Sequence, residues 1–243
     1  TQPPFARADA LRVTFEVSVA GAGTEEVVHQ LPLVEPSQAT VLRLPFEGLW
    51  FTNAGNDLAS GHRRTGLNGV TTYAWDFMKV GEDGRLYRTD GQTPEDFYGY
   101  DAPVLAPAAG TVVHVRDDIP DYGIGVTPPR ERLEADGDVF AGNLVVIDHG
   151  DGEYTLTSHM RAGTIPVREG DRVAPGDLIG RVGNSGASMV PHIHLHMMDG
   201  PHGLEARGVP AVFTAFSRVR DDGPDEPLTL GNPMTGWLLR PGT

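Results

Sequence analysis

The frequency of glycine and proline is the feature that most limits what this chain can fold into. Its 243 residues include 31 glycines and 20 prolines. Both residues are typical of turns and interrupt regular helices, so this frequency favours short strands joined by turns over long helices. Residues 11–19 also alternate apolar and polar side chains, as a half-buried strand does. We therefore predict an all-β fold.

The order of strand-like and polar segments divides the chain into a core and two extensions. We predict an N-terminal β appendage at residues 1–45, a core at 46–199 and a C-terminal extension at 200–243 that packs on the core. Within the appendage, residues 27–33 are the candidate partner of strand 11–19. Within the core, residues 143–150 and 153–160 predict a hairpin. The acidic, proline-containing segment 116–142 is predicted to be an inserted surface loop.

Composition excludes several classes of function. The formal charge of −14 and the pI of about 4.9 exclude a nucleic-acid partner, because phosphate binding needs a basic surface. The chain has no cysteine, so any zinc site must use histidine and carboxylate ligands. No apolar stretch reaches the roughly 18 residues of a membrane span, so we expect no transmembrane segment. The composition does not indicate an oligomeric state. The chain begins at Thr1 rather than Met, which removal of a signal peptide or trimming would both produce.

Three histidines alternate along one short segment. His192, His194 and His196 are separated by single apolar residues, and side chains at such spacing point to one face of a strand. Leu195 and Met197 would give the opposite face something to bury. Histidine is the commonest metal ligand and the usual acid–base group near neutral pH. The segment therefore predicts either a functional histidine face or an adventitious metal-binding run.

Asp76 lies between two aromatic residues, Trp75 and Phe77, in a second strand-like segment. A carboxylate buried there is costly unless it is paired or coordinates a metal. Asp76 therefore caps a turn, meets an arginine or binds a metal. Spacing alone does not join it to His194, which lies far along the chain.

Several segments, in the same order, resemble motifs of the lysostaphin-type, or β-lytic, zinc endopeptidases that cut peptidoglycan cross-links. The resemblance runs from about residue 44 to 199, and six ordered matches are far more specific than any single one. The matching segments are residues 73–77, 103–113, 142–150, 157–160, 170–173 together with 180–186, and 191–194.

The resemblance implies a fold, a cofactor and a set of site residues. The expected fold is an antiparallel, β-sandwich-like core with a metal cleft on one sheet. Asp76 and His194 are expected to bind Zn²⁺, and His159 and His192 are expected to orient the attacking water and transfer its proton. The expected substrate is a peptide or peptidoglycan, and the expected location is extracellular, periplasmic or otherwise in the cell envelope.

The chain departs from the family pattern at the first metal ligand. The family places a histidine four residues before the aspartate, and this chain has Thr72 there. The nearest upstream histidine is His62, in a polar loop, and we predict that it is the third ligand. Alternatively, His62 is solvated, and the chain is a non-catalytic peptidoglycan-binding or hydrolase-regulating relative. A metal-dependent hydrolase with another substrate is a third possibility.

The remaining histidines receive other roles. We expect His196 to steer a ligand or a water molecule, because it shares the face of His194. His149 is expected to be a hydrogen-bonding residue of a turn. His114 alternates with valines on a strand and is a candidate for the edge of the cleft.

Overall fold

The computed structural model describes residues 10–19, 23–32, 38–65, 69–203 and 205–242. It separates into two compact units, Thr1–Ser37 and Gln38–Thr243. Residues 38–45 of the predicted appendage belong to the larger unit, whereas positions 1–9, 20–22 and 33–37 lie outside the described residues. The three-part division of the chain stays a prediction.

An antiparallel ribbon forms the described part of the smaller unit. β1 (Ala10–Val19) pairs along its whole length with β2 (Gly23–Pro32). Thr14 and Glu16 are exposed, in agreement with the alternation of the sequence. The predicted pairing of these segments is confirmed, apart from Leu33, which lies outside the described residues.

Short strands are the main regular elements of the larger unit. Its described strands are β3 (Trp50–Ala54), β4 (Trp75–Lys79), β5 (Pro103–Leu105), β6 (Gly110–Arg116), β7 (Asn143–Asp148), β8 (Tyr154–Met160), β9 (Arg172–Val173), β10 (Leu178–Arg181), β11 (Ile193–Met198), β12 (Gly208–Val209), β13 (Phe213–Val219), β14 (Glu226–Gly231) and β15 (Leu238–Pro241). Strands this short follow from the frequent glycine and proline, which end each run after a few residues.

The helices of the larger unit are shorter than two turns wherever the structure describes them. They are α1 (Gly61–Thr65), α2 (Arg130–Ala135), α3 (Asp138–Ala141) and two 3-10 helices at Gly69–Tyr73 and Pro94–Asp96. Both α2 and α3 lie in segment 116–142, the predicted surface loop, and Val139 of α3 is buried. No helix among the described residues has the length and apolar character needed to cross a membrane.

The paired strands of the larger unit are antiparallel. In the described residues, the main sheet has the strand order β14-β13-β15-β3-β4-β11-β8-β7-β6-β9, with β12 paired to β11. β5 and β10 form a separate two-stranded sheet. The predicted hairpin is present as β7 and β8. The prediction of an all-β, antiparallel fold is therefore confirmed.

One face of the main sheet and the small β5–β10 sheet enclose the hydrophobic core. Val145 and Ile147 of β7 and Leu195 of β11 are buried there together with Val104 of β5 and Ile179 of β10. Because side chains alternate along a strand, the residues between these core positions point to the opposite face of the main sheet. The candidate site lies on that opposite face.

Candidate metal centre and active site

The candidate site is a cleft of about 640 Å³ on the main sheet, with a floor from β4, β7, β8 and β11. His192 stands immediately before β11, and it lines the cleft together with the other two histidines of the alternating run. The structure therefore brings all the site residues predicted from the sequence into one cleft: His62, Asp76, His159, His192 and His194.

Asp76, His194 and Ser158 form a row across three neighbouring strands. His194 of β11 is the register partner of Asp76 on β4 and of Ser158 on β8. The Nδ1 atom of His194 lies 2.9 Å from Oδ1 of Asp76. Strand pairing thus joins two residues that are 118 positions apart in the sequence.

Asp76 is the negative centre of the site. Its Oδ2 atom lies 3.0 Å from Nε2 of His62, and its Oδ1 atom lies 3.5 Å from Nε2 of His192. Burial alone would raise the pKa of Asp76, but the charge of His192 and the hydrogen bonds of the three surrounding histidines outweigh it and hold this pKa well below its ordinary value. Asp76 is therefore an anion that accepts hydrogen bonds from imidazoles on several sides.

Among the described residues, two overlapping sets of side chains could hold a metal ion. His62, Asp76 and His194 offer ligand atoms that all lie within 4.8 Å of one another, and so do His159, His192 and His194. The first set includes a carboxylate, whose negative charge offsets the cost of bringing a dication into a buried site. Two imidazole nitrogens and one carboxylate oxygen are also a ligand set that suits zinc. The residues present therefore fit a zinc ion.

His62 reaches Asp76 from α1 rather than from an irregular loop. Its side chain is 24% exposed and lies on the solvent side of the buried pair. Its ring centroid lies 5.2 Å from that of His194. The residue that the sequence left in doubt is thus directed at the carboxylate, although its role as a metal ligand stays a prediction.

The backbone of His159 has a conformation that aims its side chain into the cleft. Its φ angle is 63°, in the left-handed region that residues other than glycine seldom occupy. Adjacent side chains of a regular strand point to opposite faces, yet Ser158 and His159 both line the cleft. The left-handed backbone therefore adds a second cleft-facing side chain to β8.

A backbone carbonyl fixes the tautomer of His159. Nδ1 of His159 donates a hydrogen bond to the carbonyl oxygen of Ser185 over 2.8 Å. Burial, helped by the nearby charges of His192 and His194, lowers the pKa of His159 well below its ordinary value. A neutral ring with its proton on Nδ1 has a lone pair on Nε2, so His159 is ready to accept a proton there.

His192 has the opposite electrostatic character. Its Nδ1 atom donates to the carbonyl oxygen of Val190 over 2.8 Å. Burial alone would lower the pKa of His192, but the charge of Asp76 and its hydrogen bond outweigh burial and raise this pKa above its ordinary value. The surroundings of His192 thus stabilise its cationic form, whereas those of His159, whose ring centroid lies 4.8 Å away, stabilise the neutral form.

A buried polar network holds in place the chain segment that orients His159. The side chain of Asn143 bonds both backbone groups of Ile119 and the carbonyl of Met160, over distances of 2.7–2.8 Å. Ser185 Oγ donates to the same carbonyl of Met160 and accepts from the backbone amide of Asn143. The network therefore fixes the chain at Ser185, whose carbonyl holds the His159 ring.

Gly142 is required at the edge of this network. Its φ angle is 75°, and an added Cβ atom would lie 2.5 Å from Oγ of Ser185. A side chain at this position would therefore displace Ser185 and strain the backbone. Sequence reasoning did not identify Asn143 or Ser185 as site residues, although both lie in segments that resemble family motifs.

His196 supports His194 from the side away from Asp76. Its Nδ1 atom lies 3.0 Å from Nε2 of His194, and its own Nε2 atom is buried without a hydrogen-bond partner among the described residues. Burial, helped by the charges of His194 and His62, lowers the pKa of His196 well below its ordinary value. His196 is therefore a neutral ring in contact with His194.

The other histidines lie away from the Asp76 row. His149 bonds the carbonyl of Ala109 and the hydroxyl of Thr155, so it is a hydrogen-bonding residue, as expected. His114 lies at the cleft edge and bonds Asp138 of α3 over 2.8 Å.

Comparison with known proteins identifies the family. Residues 96–205 match the sequence profile of peptidase family M23. His159, His192 and His194 lie inside the matched residues, whereas His62 and Asp76 precede them.

Two curated relatives are similar over part of the chain. Cell division protein DipM of Caulobacter vibrioides is 25% identical over 139 residues, which are 55% of this chain and 19% of that protein. Peptidoglycan DD-endopeptidase ShyA of Vibrio cholerae is 37% identical over 59 residues, which are 24% of this chain and 13% of that protein. The chain thus spans less than a fifth of the length of either relative.

Comparison with solved structures also finds similar chains. The catalytic domain of the antimicrobial peptidase lysostaphin from Staphylococcus simulans is 20% identical, with a TM-score of 0.35, over 67% of this chain and 88% of that one. The strand pairing of this chain shows the fold, and the sequence match supports the family. The chain therefore carries a domain of peptidase family M23.

Proposed function

We propose that this chain is a zinc-dependent endopeptidase that hydrolyses peptide bonds, with the peptides of peptidoglycan as its substrate class. The observation that carries the proposal is the convergence of His62, Asp76 and His194 beside a neutral, oriented His159. The family match and the name of the relative ShyA support a peptidase that acts on peptidoglycan. Such a substrate implies a location outside the cytoplasm.

His62, Asp76 and His194 would hold the zinc ion. When bound, zinc supplies a Lewis acid that polarises the scissile carbonyl and lowers the pKa of the attacking water to about 7. His159 accepts the proton of that water at Nε2, because its Nδ1 proton is held by the carbonyl of Ser185. The same nitrogen then returns the proton to the leaving amine.

His192 and His196 support this reaction in two different ways. His192, in its cationic form, stabilises the negative charge that develops on the carbonyl oxygen. His196 holds the His194 ring in place. For His194 to offer the lone pair of Nδ1, its proton must sit on Nε2, and Nδ1 of His196 is placed to accept it.

The experiment measures zinc content and hydrolysis on the same preparations. We expect the wild-type chain to bind about one zinc ion and to release new amino groups from purified peptidoglycan or blocked peptides. His62→Ala, Asp76→Ala and His194→Ala should each lose the zinc. His202→Ala is the matched control, because His202 lines the same cleft in an exposed position.

Two results would contradict the proposal. Full zinc occupancy in the Asp76→Ala or His194→Ala chain would show that the ligand set is wrong. A zinc-loaded chain that cleaves none of the substrates, and instead binds peptidoglycan or activates another hydrolase, would show a non-catalytic relative.

A further inference from the structure

We propose that the cleft contains an apolar subsite that receives a large aliphatic or aromatic side chain of the substrate, next to the bond that is cut. The subsite is a trough with a floor of Leu144, Val146 and Leu156. This inference rests on the proposed function. The peptide that this chain prefers would therefore carry a bulky apolar residue rather than only small or charged ones.

Strand register places the trough directly beside the metal-ligand candidates. His196 on β11 is opposite Leu156 on β8, which is opposite Val146 on β7, which in turn is opposite His114 on β6. On each shared strand, this row is two residues away from the row of Asp76, His194 and Ser158. A peptide bond held at His194 would thus have its neighbouring side chains over Leu156 and Val146.

The floor of the trough is not part of the main hydrophobic core. Leu144, Val146 and Leu156 belong to a second apolar cluster, with Val70 and Met198, on the cleft face of the sheet. Leu144, Val146 and Leu156 are only 1–5% exposed, and all three line the cleft. An apolar floor inside a cleft favours an apolar ligand, because the ligand's apolar surface leaves water there, whereas a polar or charged group would lose its hydration without gaining a hydrogen-bond partner.

The walls of the trough are also apolar. Val70 lies on one side, and Phe140 and Ala141 of α3 lie on another. Phe140 is 51% exposed, although phenylalanine is usually among the buried residues. A substrate side chain in the trough would cover part of this exposed ring.

The charged groups described at the far end of the trough have partners. At its far end His114 bonds Asp138 over 2.8 Å and Glu169 over 3.3 Å. Asp136, which also lines the cleft, pairs with Arg116 over 2.8 Å. Among the described residues, a charged substrate side chain would therefore find no free counter-ion on the floor or at this end of the trough, which favours an apolar occupant there.

The test compares a blocked penta-alanine peptide with a series of variants, each of which has Phe in place of Ala at one position. With the zinc-loaded chain, we expect the best Phe peptide to exceed the all-Ala peptide in kcat/KM by on the order of tenfold to a hundredfold, the usual effect of filling an apolar pocket. Val146→Phe fills the trough and should reduce this ratio towards one. Val41→Phe is the matched control, because Val41 is an exposed valine outside the cleft.

A second variant covers the case in which Val146→Phe fails to fold. Phe140→Ala removes an exposed wall residue and should also reduce the ratio, whereas Leu230→Ala, at an exposed position on β14, should leave it unchanged. A wild-type ratio near one, with the peptides cleaved, would overturn the subsite and leave the proposed function standing.

Binding to the metal-free chain separates the two proposals if no peptide is cleaved. Tighter binding of the Phe peptides by calorimetry, lost in Val146→Phe or Phe140→Ala, would support the subsite while the endopeptidase proposal fails. Equal binding of the Phe and Ala peptides would overturn the subsite.

Discussion

Replacing Asn143 by alanine tests whether the buried network below His159 holds the fold and the site together. Asn143 is fully buried, and its side chain bonds the amide and the carbonyl of Ile119 and the carbonyl of Met160. The carbonyl of Met160 keeps its bond from Ser185, so Asn143→Ala leaves the two backbone groups of Ile119 without this partner. Each such buried group costs about 1–3 kcal/mol, which predicts a loss of about 2–6 kcal/mol in the free energy of unfolding.

Urea denaturation followed by tryptophan fluorescence measures this loss. Asn53→Ala is the matched control, because Asn53 is an exposed asparagine on β3, and we expect it to change stability by less than about 0.5 kcal/mol. A loss below about 1 kcal/mol for Asn143→Ala, with the slope of the transition unchanged, would refute the reasoning. It would mean that solvent or a shift of the chain satisfies Ile119 without the side chain.

Three further predictions follow from the site. His159→Ala should keep its zinc and lose about 10²–10⁴-fold in kcat, since this range is typical of a missing general base, and retained turnover would contradict the proton-transfer role. His196→Phe should weaken zinc binding by about 10–100-fold in a competition titration with a chromogenic chelator, because the His194 ring loses its hydrogen-bond partner; unchanged affinity would show that packing alone positions the ring. The metal-free chain should lose stability as the pH falls below about 6.5, because burial lowers the pKa of His149 and His159, and rings that stay neutral when folded gain protons on unfolding. Urea midpoints between pH 5 and 8 that stay constant or rise towards acid would contradict this sign.

Patterns within one segment predicted the local structure well. The alternation of His192, His194 and His196 predicts a shared face, and all three line the cleft while Leu195 and Met197 are buried. The hairpin of β7 and β8 was also predictable, because two strand-like runs are separated by a turn. A period of two residues is a property of the strand itself, so it needs no information from distant parts of the chain.

Contacts between distant segments could not be predicted in this way. Asp76 and His194 are register partners because β4 and β11 are neighbours, and nothing in either segment specifies its neighbour. Only the family resemblance joined them. The bonds of Asn143 to Ile119 and Met160 depend on three segments meeting in one place, so no local pattern predicts them. The short α2 and α3 were missed because an acidic segment that follows Pro128 and Pro129 resembles a loop.

The two neighbouring rows on the main sheet limit how this chain can evolve. The metal-ligand candidate His194 lies on β11, and the trough-floor residue Leu156 lies on the neighbouring β8. On β11, His194 alternates with core residues such as Leu195. Inserting or deleting a single residue within β11 would exchange the two faces, turning His194 towards the interior and Leu195 towards solvent. Length changes in these strands should therefore be eliminated by selection at once, while substitutions at the trough floor leave room for new preferences to arise.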